Sequence, residues 1–428
     1  MLADMAETRI VVEHREHLWY LLAEAAQLEH GIMCQYLYAG FSLKQGVEEG
    51  LSEEQLAAIN KWRSIVHGIA VQEMLHLVLV ANLMSAIGAA PTFTRPNFPR
   101  RSDYFPPSVQ LDLLPFGEAA LTHFLYLERP EGMERIDAEG FVPLKPSPEP
   151  VSPDEDFPRA QDFATVGHLY RGIADGLRHL AERMGERGLF VGPPQAQATQ
   201  DAFHMPGLIA VTDLESAIAA VNEIIEQGEG ARGDWRTAHY GRFLDVYDEH
   251  AAMRARDANF EAARPVLAAF TSQPFDVAES QPLITDPRTR AVADLFNMGY
   301  EVLLQTLTRY FTHTDENPEQ LSTLVSAAIG LMTGVLRRLG NALTGLPVGP
   351  EHPGRTAGPT FQMYYQMGNF VPWREAAWTL LRERMGLLAD RCSAFGGNDD
   401  GIPSEVATAA RSSGLLAERL AAHLTVDH

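Results

Sequence analysis

The sequence has 428 residues, of which 46% are hydrophobic and 21% charged, a balance typical of a soluble globular protein. This length predicts two domains, or one domain with a substantial extension. Fifty-six acidic residues against 34 basic ones give a formal charge of −22, which disfavours nucleic acid and anionic membranes as partners. Two cysteines, Cys34 and Cys392, are too few for a disulfide framework or a thiolate zinc site.

The N-terminal segment gives no sign of export or membrane insertion. It is too charged for a secretory signal, and no apolar run approaches the roughly 18 residues of a membrane-spanning helix. We therefore expect a cytoplasmic protein without membrane contact.

Two long helices are predicted between about residues 12 and 88. The second begins at Ser52 and Gln55, which have the spacing of a capping box, and it ends at Gly88 and Pro91. Residues 90–160 are then rich in proline and irregular, with at most a short strand or helix around "LTHFLYL".

Helical periodicity returns after residue 160. It is carried by "TVGHLYRGIADGLRHLAERM", "TDLESAIAAVNEIIEQ", "WRTAHYGRFLDVYDEHAAMRA", "AVADLFNMGYEVLLQTLTRYF", "PEQLSTLVSAAIGLMTGVLRRLGNAL" and "REAAWTLLRERMGLLADRC". Strand signals are sparse, so the predicted fold class is mainly α. We expect one domain over residues 1–255, including the insertion at 90–160, and a helical extension over residues 256–428 packed on it.

The second long helix carries a glutamate and a histidine, Glu73 and His76, within the apolar stretch "AVQEMLHLVLVANL". Apolar residues recur along this helix in alternating steps of three and four residues and so form one buried face, which we call its seam. Glu73 and His76 both fall in this seam, and by the same rule Glu29 falls in the seam of the first helix. Two antiparallel helices with a short connection face such seams toward each other. The pattern predicts that the three side chains meet in one core.

A buried ionised carboxylate costs several kcal/mol unless it pairs or binds a metal, and the seams near Glu29 and Glu73 contain no Lys or Arg. Carboxylate and imidazole ligands without thiolates suit iron or manganese. The alternative is that Glu29 is an edge residue and that Glu73 and His76 form a satisfied buried pair, because Glu-x-x-His alone is a weak motif.

Several segments resemble the ferritin-like domain of the iminophenyl-pyruvate dimer synthases. This family includes the enzymes that couple two tryptophan-derived imines in violacein and indolocarbazole biosynthesis. The segments that carry the resemblance are "LEHGIMCQY", "EMLHL", "EIIEQGEG", "AHYGRF", "LVSAAIGLMTGVLRRLGNALTGLP" and "TAGPTF". It implies a ferritin-like four-helix bundle with a long irregular insertion and a C-terminal helical extension.

The resemblance also implies a non-haem metal site, of one to three iron ions with manganese as the alternative. Its expected ligands are Glu29, Glu73, His76, Glu226 and His239. Periodicity supports only the first three. Glu226 lies off the apolar face of its predicted helix, so solvent exposure is its alternative. His239 shares a helical line with Phe243 and Val246, and a hydrogen-bonded core histidine is its alternative.

The implied activity is that of an oxidoreductase that uses dioxygen or peroxide to oxidise a small organic substrate, such as an amino-acid-derived imine in specialised metabolism. Glu29 is the expected bridge if two metals bind. Homo-oligomerisation remains open. Two alternatives are an iron-sequestering protein without organic turnover and a metal-free helical interaction protein. The long excursion and the additional helical block suit a substrate pocket better than a storage shell, which favours an enzyme.

Overall fold

The computed structural model describes residues 9–101, 109–141, 149, 151–155, 157–230, 234–364, 371–396 and 404–424. Across these residues the chain is mainly helical, which confirms the predicted fold class. It forms two compact units, Met1–Thr92 with Pro99–Ala262, and Phe93–Phe98 with Ala263–His428. The first unit thus ends at Ala262, whereas the sequence predicts a domain boundary after residue 255.

The first two helices are long and closely packed. α1 spans Arg15–Ser42 and α2 spans Glu53–Ala86. α2 begins with the predicted capping box, in which Ser52 Oγ accepts a hydrogen bond from the backbone N–H of Gln55. The helices approach closely at Gly40, where a Cβ atom would lie 2.7 Å from Nε2 of His67.

The segment after α2 is irregular, as predicted, but it contains more structure than the sequence indicates. β1 (Arg100–Arg101) pairs antiparallel with β2 (Gln110–Leu111), with Arg100 opposite Leu111. A ten-residue helix, α3 (Glu118–Leu127), then buries most of its side chains, Phe124 among them.

Five more helices complete the first unit: α4 (Val166–Met184), α5 (Glu186–Leu189), α6 (Gln200–Phe203), α7 (Leu214–Gly228) and α8 (His239–Arg256). α4 and α7 each pack on one of the long helices, α4 on α1 and α7 on α2, and they pack on each other. Together with the contact between α1 and α2, this closes the predicted four-helix bundle. α8 packs on α2, α3 and α7.

The second unit is helical as well. It contains α9 (Pro287–Phe311), α10 (Pro318–Gly330), a π-helical turn (Leu331–Leu336), α11 (Arg337–Leu343), α12 (Arg374–Gly396) and α13 (Ser404–Ala421). α9 contacts α10 and α11, as expected of the predicted hairpin, and α12 pairs with α13. α13 has no counterpart in the sequence-based prediction.

Two helical segments, Glu53–Ala86 and Pro318–Leu343, are long and apolar enough by length and composition to cross a membrane. The sequence-based expectation did not include them. A core helix of a soluble protein passes the same test, and 61% of the most apolar part of Glu53–Ala86 is buried within the protein. The cytoplasmic location and the absence of membrane contact therefore stay predictions.

α1 buries the carboxylate of Glu24 as well as that of Glu29. Glu24 is 3% exposed. Burial raises the pKa of Glu24 to about 8, and Tyr20 and Arg100 offset only part of that rise. It is absent from both groups of potential ligands that the structure brings together. The folded protein therefore holds a proton on Glu24 at pH values where the unfolded chain has released it.

This difference predicts a pH-dependent stability. Because the folded-state pKa of Glu24 is raised, the free energy of unfolding falls as pH rises from about 4.5 to about 8, by at most about 5 kcal/mol for this group. Glu24→Gln should remove that loss, so its stability advantage over the wild type should grow across this interval. Denaturant unfolding at pH 5, 6.5 and 8 measures the advantage, with the exposed Glu16→Gln as the matched control on α1. An advantage independent of pH would contradict the assignment.

Candidate metal centre

α1 and α2 bring three ionisable side chains together in the core. Glu29, Glu73 and His76 are each 2% exposed or less. His76 Nδ1 lies 2.8 Å from Glu73 Oε2 and 3.4 Å from Glu29 Oε2. Residues three apart on a helix lie on the same face, which is why Glu73 and His76 point at the same neighbour. The structure thus places these three side chains as the seams predict.

A second group adjoins the first. His239 is the first residue of α8, and Glu128 directly follows α3. Both are buried. Nδ1 of His239 lies 2.8 Å from Glu73 Oε1 and 3.6 Å from Glu128 Oε1. The packing of α8 on α2 and α3 brings these two residues to Glu73.

Glu73 belongs to both groups. Potential ligand atoms of Glu29, Glu73 and His76 lie within 4.8 Å of one another, and so do those of Glu73, Glu128 and His239. The two carboxylate oxygens of Glu73 face different histidines, and the histidine rings stack with centroids 5.5 Å apart. We call these five residues the carboxylate–histidine cluster.

Two tyrosines hold the outer carboxylates. Tyr170 on α4 donates a hydrogen bond of 2.6 Å to Glu29, and Tyr36 on α1 donates one to Glu128. Both rings are fully buried, and the Tyr36 ring packs edge-on against Phe124 and Phe243. Both tyrosines therefore border the site.

The donor atoms at the centre of the cluster have unsatisfied bonding capacity. Within the described chain, Glu73 Oε1 and both ring nitrogens of His239 have no hydrogen-bond partner. The 2.8 Å contact between Glu73 Oε1 and His239 Nδ1 is short enough for an ion pair but lacks hydrogen-bond geometry. Buried polar atoms are rarely left unsatisfied. A cation between them would supply the missing interactions, so the residues fit a metal.

Burial and mutual charge shift the protonation of all five residues. Burial raises the pKa of Glu29 to about 7 and, together with the charge of Glu73, raises the pKa of Glu128. Burial also acts to raise the pKa of Glu73, but His239 and His76 hold it well below its ordinary value. Burial acts to lower the pKa of each histidine, but the neighbouring carboxylates outweigh it. Glu73 and Glu128 raise the pKa of His239 to about 9, and Glu73 and Glu29 raise the pKa of His76 well above its ordinary value. Both histidines and the carboxyl groups of Glu29 and Glu128 therefore hold protons more tightly than they would in water.

The predicted ligand Glu226 is not in the cluster. Its side chain is exposed on α7, because Glu226 lies off the helix face that packs against the bundle. The neighbouring Gln227 reaches the site instead, with Oε1 3.2 Å from His76 Nε2. The fifth cluster residue is Glu128, which the sequence-based prediction missed. Leu121, Phe124 and Glu128 follow the same alternating steps as the other seams, so the signal was present.

His168 lies opposite the apolar stripe of α4, a position that favours solvent exposure, yet its side chain is buried. Nδ1 of His168 accepts a hydrogen bond from the backbone N–H of Ala164 at the start of α4.

Glutamates and histidines that several helices project into one bundle core are typical of ferritin-like proteins. The chain belongs to the ferritin-like family, whose sequence profile matches residues 22–248. The match covers every residue of the carboxylate–histidine cluster.

Two relatives confirm the family resemblance that the sequence segments indicate. Dichlorochromopyrrolate synthase from Lentzea aerocolonigenes is 30% identical over 412 residues, which cover 89% of this chain and 39% of the relative. The 2-imino-3-(indol-3-yl)propanoate dimerase from Chromobacterium violaceum is 30% identical over 368 residues, which cover 81% of this chain and 34% of the relative. The matches thus span less than two fifths of the length of either relative.

A solved structure of a ferritin-like protein from Caulobacter vibrioides is also similar. The comparison gives a TM-score of 0.47 and 19% sequence identity, and it covers 74% of this chain and 94% of that protein.

Two matched substitutions test whether Glu128, rather than Glu226, is a metal ligand. Glu128→Gln should lower metal content by about one equivalent, because the amide is a poorer ligand than a carboxylate. The metal-free variant should unfold within about 1 kcal/mol of the wild type, since glutamine mimics the protonated acid and can still accept from Tyr36. Glu226→Gln is the exposed control and should change neither quantity. Elemental analysis and denaturant unfolding measure both, and the opposite ranking of the two variants would restore Glu226 as the ligand.

Proposed function

We propose that the chain is a metal-dependent biosynthetic enzyme whose carboxylate–histidine cluster holds two non-haem iron ions. The observation that carries this proposal is the shared carboxylate, since Glu73 faces His76 with one oxygen and His239 with the other. Glu73, rather than Glu29, would then be shared by the two ions. Glu29 would help to hold one of them and Glu128 the other.

The donor set supports iron, with manganese as the closest substitute. Carboxylate oxygen and imidazole nitrogen suit these ions, whereas soft copper and iron–sulfur sites require thiolate or thioether ligands. Cys34 and Cys392 are both buried, and neither belongs to a ligand group that the structure brings together. Bound iron would supply the capacity to activate dioxygen or peroxide.

The protein side chains prepare this site in three ways. Tyr36 and Tyr170 orient the outer carboxylates through hydrogen bonds. The aromatic packing around Tyr36 keeps water away from one side of the cluster. Raised pKa values let Glu29 and His239 carry protons near neutral pH, so metal binding would release protons.

The proposed substrate class is an amino-acid-derived imine with a free carboxylate. The two relatives are a synthase and a dimerase, and the name of the dimerase contains an indole-bearing imino acid. Charge favours the same class, because two divalent cations (+4) against three cluster carboxylates (−3) leave one positive charge. A substrate carboxylate would balance that charge.

Metal loading tests the first half of the proposal. Protein reconstituted anaerobically with Fe²⁺ should retain about two equivalents per chain, the number given by two ligand groups that share one carboxylate. Glu73→Gln should lose most of the metal, since it alters the only residue common to both groups. Elemental analysis after desalting measures the content. A wild-type protein that retains no iron or manganese would refute the metal site.

Turnover tests the second half. The iron-loaded protein should oxidise an imine generated from an aromatic amino acid by an amino-acid oxidase, with consumption of dioxygen or added peroxide. Product formation should fall at least about 100-fold in Glu73→Gln, because no ordered centre remains. Mass spectrometry detects the products. Full metal loading without oxidation of any arylpyruvate-derived imine would favour the alternative, an iron-sequestering protein.

A further inference from the structure

Helix α7 touches the cluster through an amide rather than a carboxylate. Gln227 Oε1 lies 3.2 Å from His76 Nε2, and Gln227 Nε2 donates a hydrogen bond to Glu223 Oε1. Residues four apart lie on one face of a helix, so Glu223 and Gln227 form a row that ends at His76. The loop residue Gly207 leaves room for this row, since a Cβ atom there would lie 2.6 Å from Glu223 Oε1.

Hydrogen-bonding chemistry determines which way the amide group of Gln227 is oriented in this row. An ionised carboxylate can only accept hydrogen bonds, so the amide group of Gln227 must turn its N–H toward Glu223 and its oxygen toward His76. The amide oxygen can only accept, so His76 must donate from Nε2. A neutral His76 then has no proton on Nδ1, the nitrogen that faces Glu29 and Glu73 at 3.4 and 2.8 Å.

We propose that Gln227 and Glu223 are positioning residues that hold His76 in the tautomer with its proton on Nε2. Nδ1 then offers its lone pair to a cation between the carboxylates of Glu29 and Glu73. This inference rests on the proposed metal site and adds the residues that orient one of its ligands.

His239 provides an internal comparison. Both of its ring nitrogens lack a hydrogen-bond partner among the described residues, so nothing comparable fixes its tautomer. The effect of Gln227 should therefore be confined to the ion held by Glu29, Glu73 and His76. The second ion, near Glu128 and His239, should be bound with the same affinity whether or not the row is intact.

Titration with Zn²⁺, a diamagnetic ion that accepts the same ligand types, tests the proposal on the full chain. Gln227→Leu should weaken one of two binding events by about 10- to 100-fold and leave the other unchanged. Glu223→Gln should weaken the same event by less, because the amide of Gln227 becomes free to turn its N–H toward His76. Glu226→Gln, three residues along α7 and exposed, is the matched control and should bind both ions as the wild type does.

A double variant that exchanges the side chains of Glu223 and Gln227 distinguishes an effect on the tautomer of His76 from an effect on packing. In Glu223→Gln/Gln227→Glu the carboxylate lies against His76 and can only accept, so the Nε2 proton and the affinity for the first ion should return. In the Zn²⁺-loaded wild type and in this double variant, ¹⁵N-histidine spectra should show His76 protonated at Nε2 and metal-bound through Nδ1.

Three results would overturn the inference. If the wild type binds two Zn²⁺ ions and Gln227→Leu binds both with unchanged affinity, Glu223 and Gln227 do not orient His76, and the proposed metal site still stands. Weakened binding that the double exchange does not recover means that Gln227 only fills space. A wild-type protein that binds no Zn²⁺, Fe²⁺ or Mn²⁺ removes the metal site and the inference together.

Discussion

The placement of the Glu73 carboxylate between two imidazoles is the constraint on which the first unit depends. Three carboxylates buried within one core would be prohibitively costly without compensating positive charge. The two histidines reduce the cost of burying Glu73, because each of its oxygens lies 2.8 Å from a ring nitrogen. For Glu29 and Glu128 the cost is reduced in two ways. Two buried tyrosines donate hydrogen bonds to them, and burial raises the pKa of both, which favours their neutral form.

This arrangement explains why the site needs so many helices. One helix can present Glu73 and His76 on a single face, but their partners must come from outside that face. α1 supplies Glu29, the end of α3 supplies Glu128, and the start of α8 supplies His239. Residues at helix ends are placed by the packing of whole helices, so α3 and α8 must pack on each other and α8 on α2 for the second group to form.

The sequence predicted the part of the cluster that local periodicity encodes. Glu29, Glu73 and His76 lie in the interiors of long helices, where alternating steps of three and four identify the buried seam. Glu128 obeys the same rule, but its helix is short and follows a proline-rich segment, which hid it. Glu226 was an assignment by analogy, and the packing of α7 turns the next residue, Gln227, toward His76 instead. Such a shift of one position depends on tertiary packing, which periodicity does not contain.

If the proposed metal site is correct, metal ions replace protons in this core, and this replacement connects stability with the proposed chemistry. Without metal, the raised pKa values of the histidines and of Glu29 keep enough protons in the cluster to offset its carboxylates. With metal, the same donor atoms become ligands and the protons leave. In the proposed metal-bound state, the helices would supply the same geometry and the metal ions would take the place of the protons. The proposed row of Glu223 and Gln227 would prepare the His76 half of the cluster for its ion. Among the described residues, no hydrogen-bond partner does the same for the ring of His239.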